Sequence, residues 1–213
     1  MPLARARADA ARRRVGALAS HAPLDLASTS ARSSTPAPPP VVASLDDWEA
    51  LVGGPPFGPG PWLDVDQARV DAFAECTGDH QWIHRAGAAT PFGGPIAHGF
   101  LTLALLPALL NPAKGGGGVL PKHAWARHEL NCGFRRVRFV APVRVGARVR
   151  ARASLVATKR FEAKGGGDRG DRGRTIGVES TLAVVVEADG SEKPALVAEW
   201  ITRQYGDVEK EAR

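Results

Sequence analysis

Apolar residues recur along this chain with two different periods, and the change of period divides it. In the run DQARVDAFAECTG (residues 66–78), Val70, Phe73 and Ala74 fall at helical spacing, with Asp66 positioned to cap the first turn. The spacing predicts a helix from about Gln67 to Cys76, closed at Gly78 and followed by a short polar break at 79–84. After the turn-forming PFGGP (91–95), the segment IAHGFLTLALLPALL (96–110) is apolar on every side, so as a helix it has to be surrounded by protein. Pro95 suits its first turn. Pro107 should kink or end its last, because proline has no N–H to give the preceding turn.

Downstream the period changes. FRRVRFVAPV (134–143), ARVRARASLVA (147–157), TIGVESTLAVVVE (175–187) and ALVAEWITRQY (195–205) alternate in part, as in Arg148, Val149, Arg150, Ala151, Arg152. These read as antiparallel strands with one wet face. Helices followed by a run of strands imply an α+β architecture. The economical way to cover residues 96–110 is an antiparallel sheet wrapped around one long buried helix.

Composition adds boundaries. Residues 1–44 are rich in Arg, Ala and Ser and end near the run TPAPPP, and they hold six Arg against two Asp, so they carry +4 of the chain's +6. That composition suits an organellar transit peptide or a disordered tail. A mitochondrial or plastid location follows in the first case and a cytoplasmic one in the second. The expected domains are this segment, one folded unit at 45–207, and a short tail at 208–213. Within the unit, KGGGDRGDRGR (164–174) reads as a flexible hairpin connection and the glycines at 115–118 as a linker. Arg and Gly together can mark a nucleic-acid tract, but 164–174 has no aromatic residue to stack a base, and the body is nearly neutral, so no nucleic acid is expected. Cys76 and Cys132 form no CxxC pair, which gives neither a disulfide framework nor a thiolate metal site. Cys76 is placed on an apolar helix side. No apolar run reaches the roughly 18 residues of a membrane helix, so no membrane partner is expected.

The polar break is TGDHQWIH (77–84), which sets the carboxylate of Asp79 five positions from the imidazole of His84. By itself, Asp79 after Gly78 is an ordinary Asx-turn former. His80 and His84 are four apart, as in a metal pair, but HQWIH lacks the Glu of HExxH, and no metal is expected. What changes the balance is the downstream PIAHGF. TGDHQWIH followed by PFGGPIAHGFLTLALLP resembles the hydratase motif of the MaoC-like dehydratases, relatives of the (R)-specific enoyl-CoA hydratases with a hot-dog fold. HQWIH, VRFVAPVRVGARVRA and KPALVAEWITR are most similar to the NodN-like branch, and the likeness spans roughly 62–205.

The resemblance implies a cofactor-free hydro-lyase that reversibly adds water to a trans-2-enoyl thioester of CoA or acyl carrier protein (ACP), giving an (R)-3-hydroxyacyl thioester. The chemistry needs a base to deprotonate the water attacking C3 and an acid to protonate C2. By resemblance, His84 is the base toward water and Asp79 orients the water and relays the proton. Positioned groups of this kind contribute roughly 10²–10⁴-fold in rate. Charge on the thioester oxygen is met by the start of the Ile96 helix, and by resemblance the donor is the backbone N–H of Gly99. One such donor is worth roughly 3–4 kcal/mol when water is excluded. Gln81, Trp82, Ile96, His98 and Phe100 are the expected substrate-binding residues. Trp82, Phe92 and Phe100 either pack the core or line the acyl tunnel, and His98 reads as a helix-start residue bonded to the loop. Arg135, Arg136 and Arg138 are candidates for the carrier's phosphates, or simply a solvated face.

The chain departs from many relatives in having Gln81 where they have Asn and Trp82 where they have Pro. Pro107 stands where some place a catalytic Ser. A thioesterase on the same scaffold and a non-catalytic acyl-binding module are the rival readings. A homodimer is expected, since a single sheet leaves one edge and one flank uncovered.

Overall fold

A computed structural model describes residues 41–111, 118–164 and 174–207. The N-terminal segment up to residue 40, the linker at 115–117, most of the 164–174 insert and the tail at 208–213 lie outside these. In chain order the elements are β1 (Val41–Val42), α1 (Leu45–Ala50), β2 (Leu63–Asp64), α2 (Gln67–Thr77), a 3₁₀ turn (Trp82–His84), α3 (Gly99–Ala104), α4 (Leu106–Leu110), β3 (Lys122–His123), β4 (Ala126–Phe139), β5 (Arg148–Lys164), β6 (Arg174–Ala188) and β7 (Leu196–Asp207).

One antiparallel sheet, in the order β2-β5-β6-β7-β4, carries the fold, and β1 and β3 form a small parallel pair beside it. Its inner face is read off the register in rows. Ala151, Val186, Leu196 and Phe139 lie side by side, then Ala153, Val184, Ala198 and Val137, then Leu155, Leu182, Trp200 and Phe134. Register shifts in β4 and β5 curl the sheet, because an extra residue on one strand bends it and raises its twist. Into the curl pack Leu101, Leu106, Leu109 and Leu110 of α3 and α4, with Leu45 and Trp48 of α1. This is the hot-dog arrangement. Among the sheet's outward residues, Arg150 meets Glu187 at 2.9 Å and Arg203 meets Glu179 at 2.8 Å, while Ala183, Val185 and Val197 are buried, so the outer face is only partly wet.

Local chemistry sets the helix ends. Ser44 and Asp47 form a reciprocal capping box on α1, and Val41–Val42 ahead of it pair with Lys122 and His123 of β3. The Nε1–H of Trp48 donates to Ser180 Oγ at 2.9 Å, Ser180 donates to Gln204 Oε1 at 3.0 Å, and Gln204 Nε2 reaches Glu129 at 2.8 Å. Asp66 caps α2 by accepting from the Arg69 amide at 2.8 Å, and Gly78 ends it at φ 77°, a left-handed turn that glycine adopts without Cβ strain.

The apolar helix departs from expectation in two ways: it starts at Gly99 rather than Ile96, and one side of it is open, with Phe100 69% exposed and Pro107 on the surface. As the proline implied, it is interrupted, forming two short helices that meet at Leu105. Pro107 causes the break, since a continuous helix would ask its nitrogen to donate to Leu103. Cys76 also differs, being exposed on α2 rather than on its apolar side.

Candidate active site

The loop between α2 and α3 is built so that its two ends meet. Ile96 N–H donates to Ile83 C=O at 3.0 Å, closing residues 83–96 into a compact loop. Gly78 turns the chain into Asp79, and the 3₁₀ turn delivers His84 inward, where it is buried. Gln67 of α2 fixes that turn by donating from Nε2 to the His84 carbonyl at 2.9 Å.

Two hydrogen bonds determine how the histidines are presented. His84 Nδ1 lies 2.7 Å from the Ile96 carbonyl. A carbonyl only accepts, so Nδ1 carries the proton and, in the neutral ring, Nε2 is left with the lone pair. His98 Nε2 donates to the Asp79 carbonyl at 2.9 Å, leaving its Nδ1 buried with no hydrogen-bond partner. The His84 and His98 rings stack at 3.7 Å with 28° between planes, and Phe73 backs His98 at 5.1 Å. A carboxylate oxygen of Asp79 and one ring nitrogen of each histidine all lie within 4.8 Å of one another. Asp79 also keeps its turn-forming role, Oδ1 accepting from the Gln81 amide at 3.4 Å.

Gly99 opens α3, and its N–H belongs to the first turn, where amides have no intrahelical acceptor. The N-cap, His98, offers no side-chain cap to that turn. A Cβ on Gly99 would stand 3.2 Å from the ring of Phe139, so the missing side chain makes room for that ring as well as for anything approaching the amide.

A family model described as the MaoC like domain matches residues 52–172. The chain belongs to the MaoC-like family. Among its relatives, the 3-hydroxyacyl-thioester dehydratase Z of Mycobacterium tuberculosis (strain ATCC 25618 / H37Rv) is 44% identical over 157 residues, covering 72% of this MaoC-like chain and 91% of the relative. Nodulation protein N of Rhizobium meliloti (strain 1021) is 42% identical over 162 residues, covering 74% and 89%. The crystal structure of the MaoC-like dehydratase from Rhodospirillum rubrum aligns with a TM-score of 0.51 at 18% identity, over 72% of this chain and 92% of that one, a likeness of fold.

Within the MaoC-like site, Asp79, His84 and His98 come together, and Ile96 is present through its carbonyl. Gln81 is on the surface. Trp82 (57%), Phe92 (46%) and Phe100 (69%) are exposed rather than packed in the core, each standing on a turn or an open helix side. His80 turns out toward Glu75 at 3.8 Å, so the histidine that joins His84 is His98. The stacked geometry bears on metal binding. Two nearly parallel rings 3.7 Å apart cannot both aim an in-plane lone pair at one ion about 2.1 Å away. On β4, Arg136 and Arg138 alternate with the inward Val137 and Phe139 and so lie on the sheet face opposite to Gly99. Phe139 and Gln67 were not foreseen. Only the strand alternation, which turns Phe139 inward, hinted at either. Among the described residues no helix is long and apolar enough to cross a membrane.

Proposed function

We propose that this protein reversibly hydrates trans-2-enoyl thioesters to (R)-3-hydroxyacyl thioesters. His84 Nε2 accepts a proton from the attacking water, whose oxygen bonds to C3. Asp79 orients that water, takes the proton on from the protonated His84 ring and delivers it to C2, so both side chains end the cycle as they began. The Gly99 N–H receives the thioester oxygen as it gains enolate character, aided by the positive end of the helix. His98 acts as a positioning residue, holding the Asp79 main chain with one ring nitrogen and flanking His84 with its face. The single observation that carries this reading is the bond from His84 Nδ1 to the Ile96 carbonyl, which dedicates Nε2 to proton acceptance beside the Asp79 carboxylate. No redox step occurs, because water adds and leaves without net electron transfer. The acyl carrier is CoA or ACP.

The test is loss of the conjugated enoyl absorbance on mixing purified protein with a short enoyl-CoA, followed by chiral analysis of the product. Asp79→Asn and His84→Ala should each reduce turnover by about 10²–10⁴-fold. Full activity in both variants overturns the mechanism, and release of free thiol identifies a thioesterase instead.

A homodimer completes the proposal. β4 is an edge strand of 14 residues, with Leu130, Phe139 and Val140 exposed along and just beyond it and Phe100 edge-on to Phe139 at 5.7 Å. A long edge with exposed apolar residues is stabilised by pairing. Light scattering should give twice the chain mass, and a monomer at working concentration refutes the pairing.

A further inference from the structure

The loop that delivers His84 also carries groups that the hydration chemistry does not use. Arg85 follows His84 directly and donates from Nε and Nη2 to the His80 carbonyl at 3.2 and 3.0 Å. Arg144, bridged to Ile96 across the loop's other end, donates from Nη2 to the Gly93 carbonyl at 2.6 Å. Both guanidiniums are exposed, and each is held by a carbonyl. Among the described residues no carboxylate forms an ion pair with either, so each keeps its full charge and has N–H groups to spare. The Ile96 to Ile83 bond brings the two ends of this loop together, with Trp82 and Arg85 flanking Ile83 and Arg144 held against Ile96 and Gly93, next to Phe92; both rings are exposed, which the core does not explain. Other arginines in the fold are used differently: Arg148, Arg150, Arg152, Arg160 and Arg203 all pair with acids.

Resting on the hydration reading, we propose that Trp82, Arg85, Phe92 and Arg144 form a recognition rim for the phosphorylated adenosine end of coenzyme A. Guanidiniums with free N–H groups match phosphate oxygens, with charge-assisted bonds roughly twice as strong as neutral ones. Flat exposed rings offer a base a stacking face. Cations and rings carried on one loop or held against it suit a nucleotide better than the acidic helix of a carrier protein, which offers no base to stack. Position agrees with this assignment. The loop's two ends are Ile83, next to His84, and Ile96, whose carbonyl holds that histidine. A thioester seated at Gly99, three residues from Ile96, starts its carrier beside this loop.

Adenosine 3′,5′-bisphosphate, titrated calorimetrically into the full chain, reads the rim without any turnover. Wild-type protein should bind it, and Arg144→Gln should weaken binding about tenfold, as expected for losing one charged hydrogen bond. Trp82→Ala and Phe92→Ala, which replace exposed rings, should weaken it as well and carry the test if Arg144→Gln fails to fold. In kinetics, Arg144→Gln should raise KM for an enoyl-CoA about tenfold, with kcat/KM for the matching enoyl-pantetheine moving less than about twofold. The assignment is overturned if wild-type protein does not bind the bisphosphate, if the variants bind it equally well, or if an enoyl carrier protein is preferred to enoyl-CoA through the same arginine. Failure of wild-type protein to hydrate either thioester would refute the proposed reaction, and the titration would still decide the rim.

Discussion

Acid should unfold this protein through one histidine that lies outside the active site. His123, on the short strand β3, sits edge-on to Trp48 at 4.5 Å and to Trp125 at 5.6 Å, with Nδ1 enclosed and unpartnered. Burial among these rings pushes its pKa down from 6.5 to about 4, because nothing there replaces the water that would solvate the charged ring. The sign follows from which state takes the proton first. Below pH 6.5 the unfolded chain binds it and the folded chain does not, so stability falls as pH drops from 6.5 toward 4 and levels off below that. One pKa unit is about 1.4 kcal/mol, so the loss from this site is about 1.4 kcal/mol at pH 5.5 and about 3 kcal/mol at pH 4. Urea unfolding at pH 7.5, 5.5 and 4 measures it, with His123→Phe as the control that cannot titrate. The wild type should lose those amounts beyond what the variant loses. Parallel stability curves would refute the claim that the ring is desolvated in the folded state.

Other perturbations follow from single contacts. Ser180→Ala leaves both the Trp48 indole N–H and Gln204 Oε1 without partners in the interior and should cost about 2–6 kcal/mol by urea unfolding, since each orphaned buried group costs about 1–3. Gly99→Ala places a methyl 3.2 Å from the Phe139 ring and should lower kcat, with Phe139→Ala in the same chain restoring part of it. Equal kcat in Gly99→Ala and the double variant would mean that the ring is not what the methyl meets. His98→Phe keeps a flat ring against His84 but removes the bond to the Asp79 carbonyl, and should lower kcat with little change in KM. A raised KM at unchanged kcat would instead make His98 a substrate contact.

How much of this was legible depended on the range of the interaction. The ends of α2 were readable because a cap and its amide are three residues apart and a left-handed glycine needs no partner. The break at Leu105 was implied by Pro107 alone, through a missing N–H. The pairing of Asp79 with His84 was marked by a local motif and its likeness to a family. Neither the face that His98 turns to His84 nor the Phe139 ring against Gly99 could be read, because each depends on how distant segments close on one another. Exposure was the least legible property. Trp82 and Phe92 are apolar residues in turns and Phe100 lies in an apolar helix, and hydrophobicity alone does not say whether a ring faces the core, a ligand or a second subunit.

The same main-chain atoms serve both the fold and the chemistry. The Ile96 residue gives its N–H to Ile83 and its carbonyl to His84 Nδ1, so the bond that closes the loop and the bond that sets the histidine tautomer share one peptide neighbourhood. His98 repeats the device from the helix start, binding the Asp79 carbonyl while leaving the carboxylate free. In the proposed mechanism the base is thus oriented by a backbone carbonyl, and the main chain of the acid is held by the His98 ring. A consequence is that side-chain changes within the loop, at Trp82 or Phe92, should alter which carrier is held without altering how the proton moves, whereas a proline at residue 96, which removes the donor to Ile83, should disable both together.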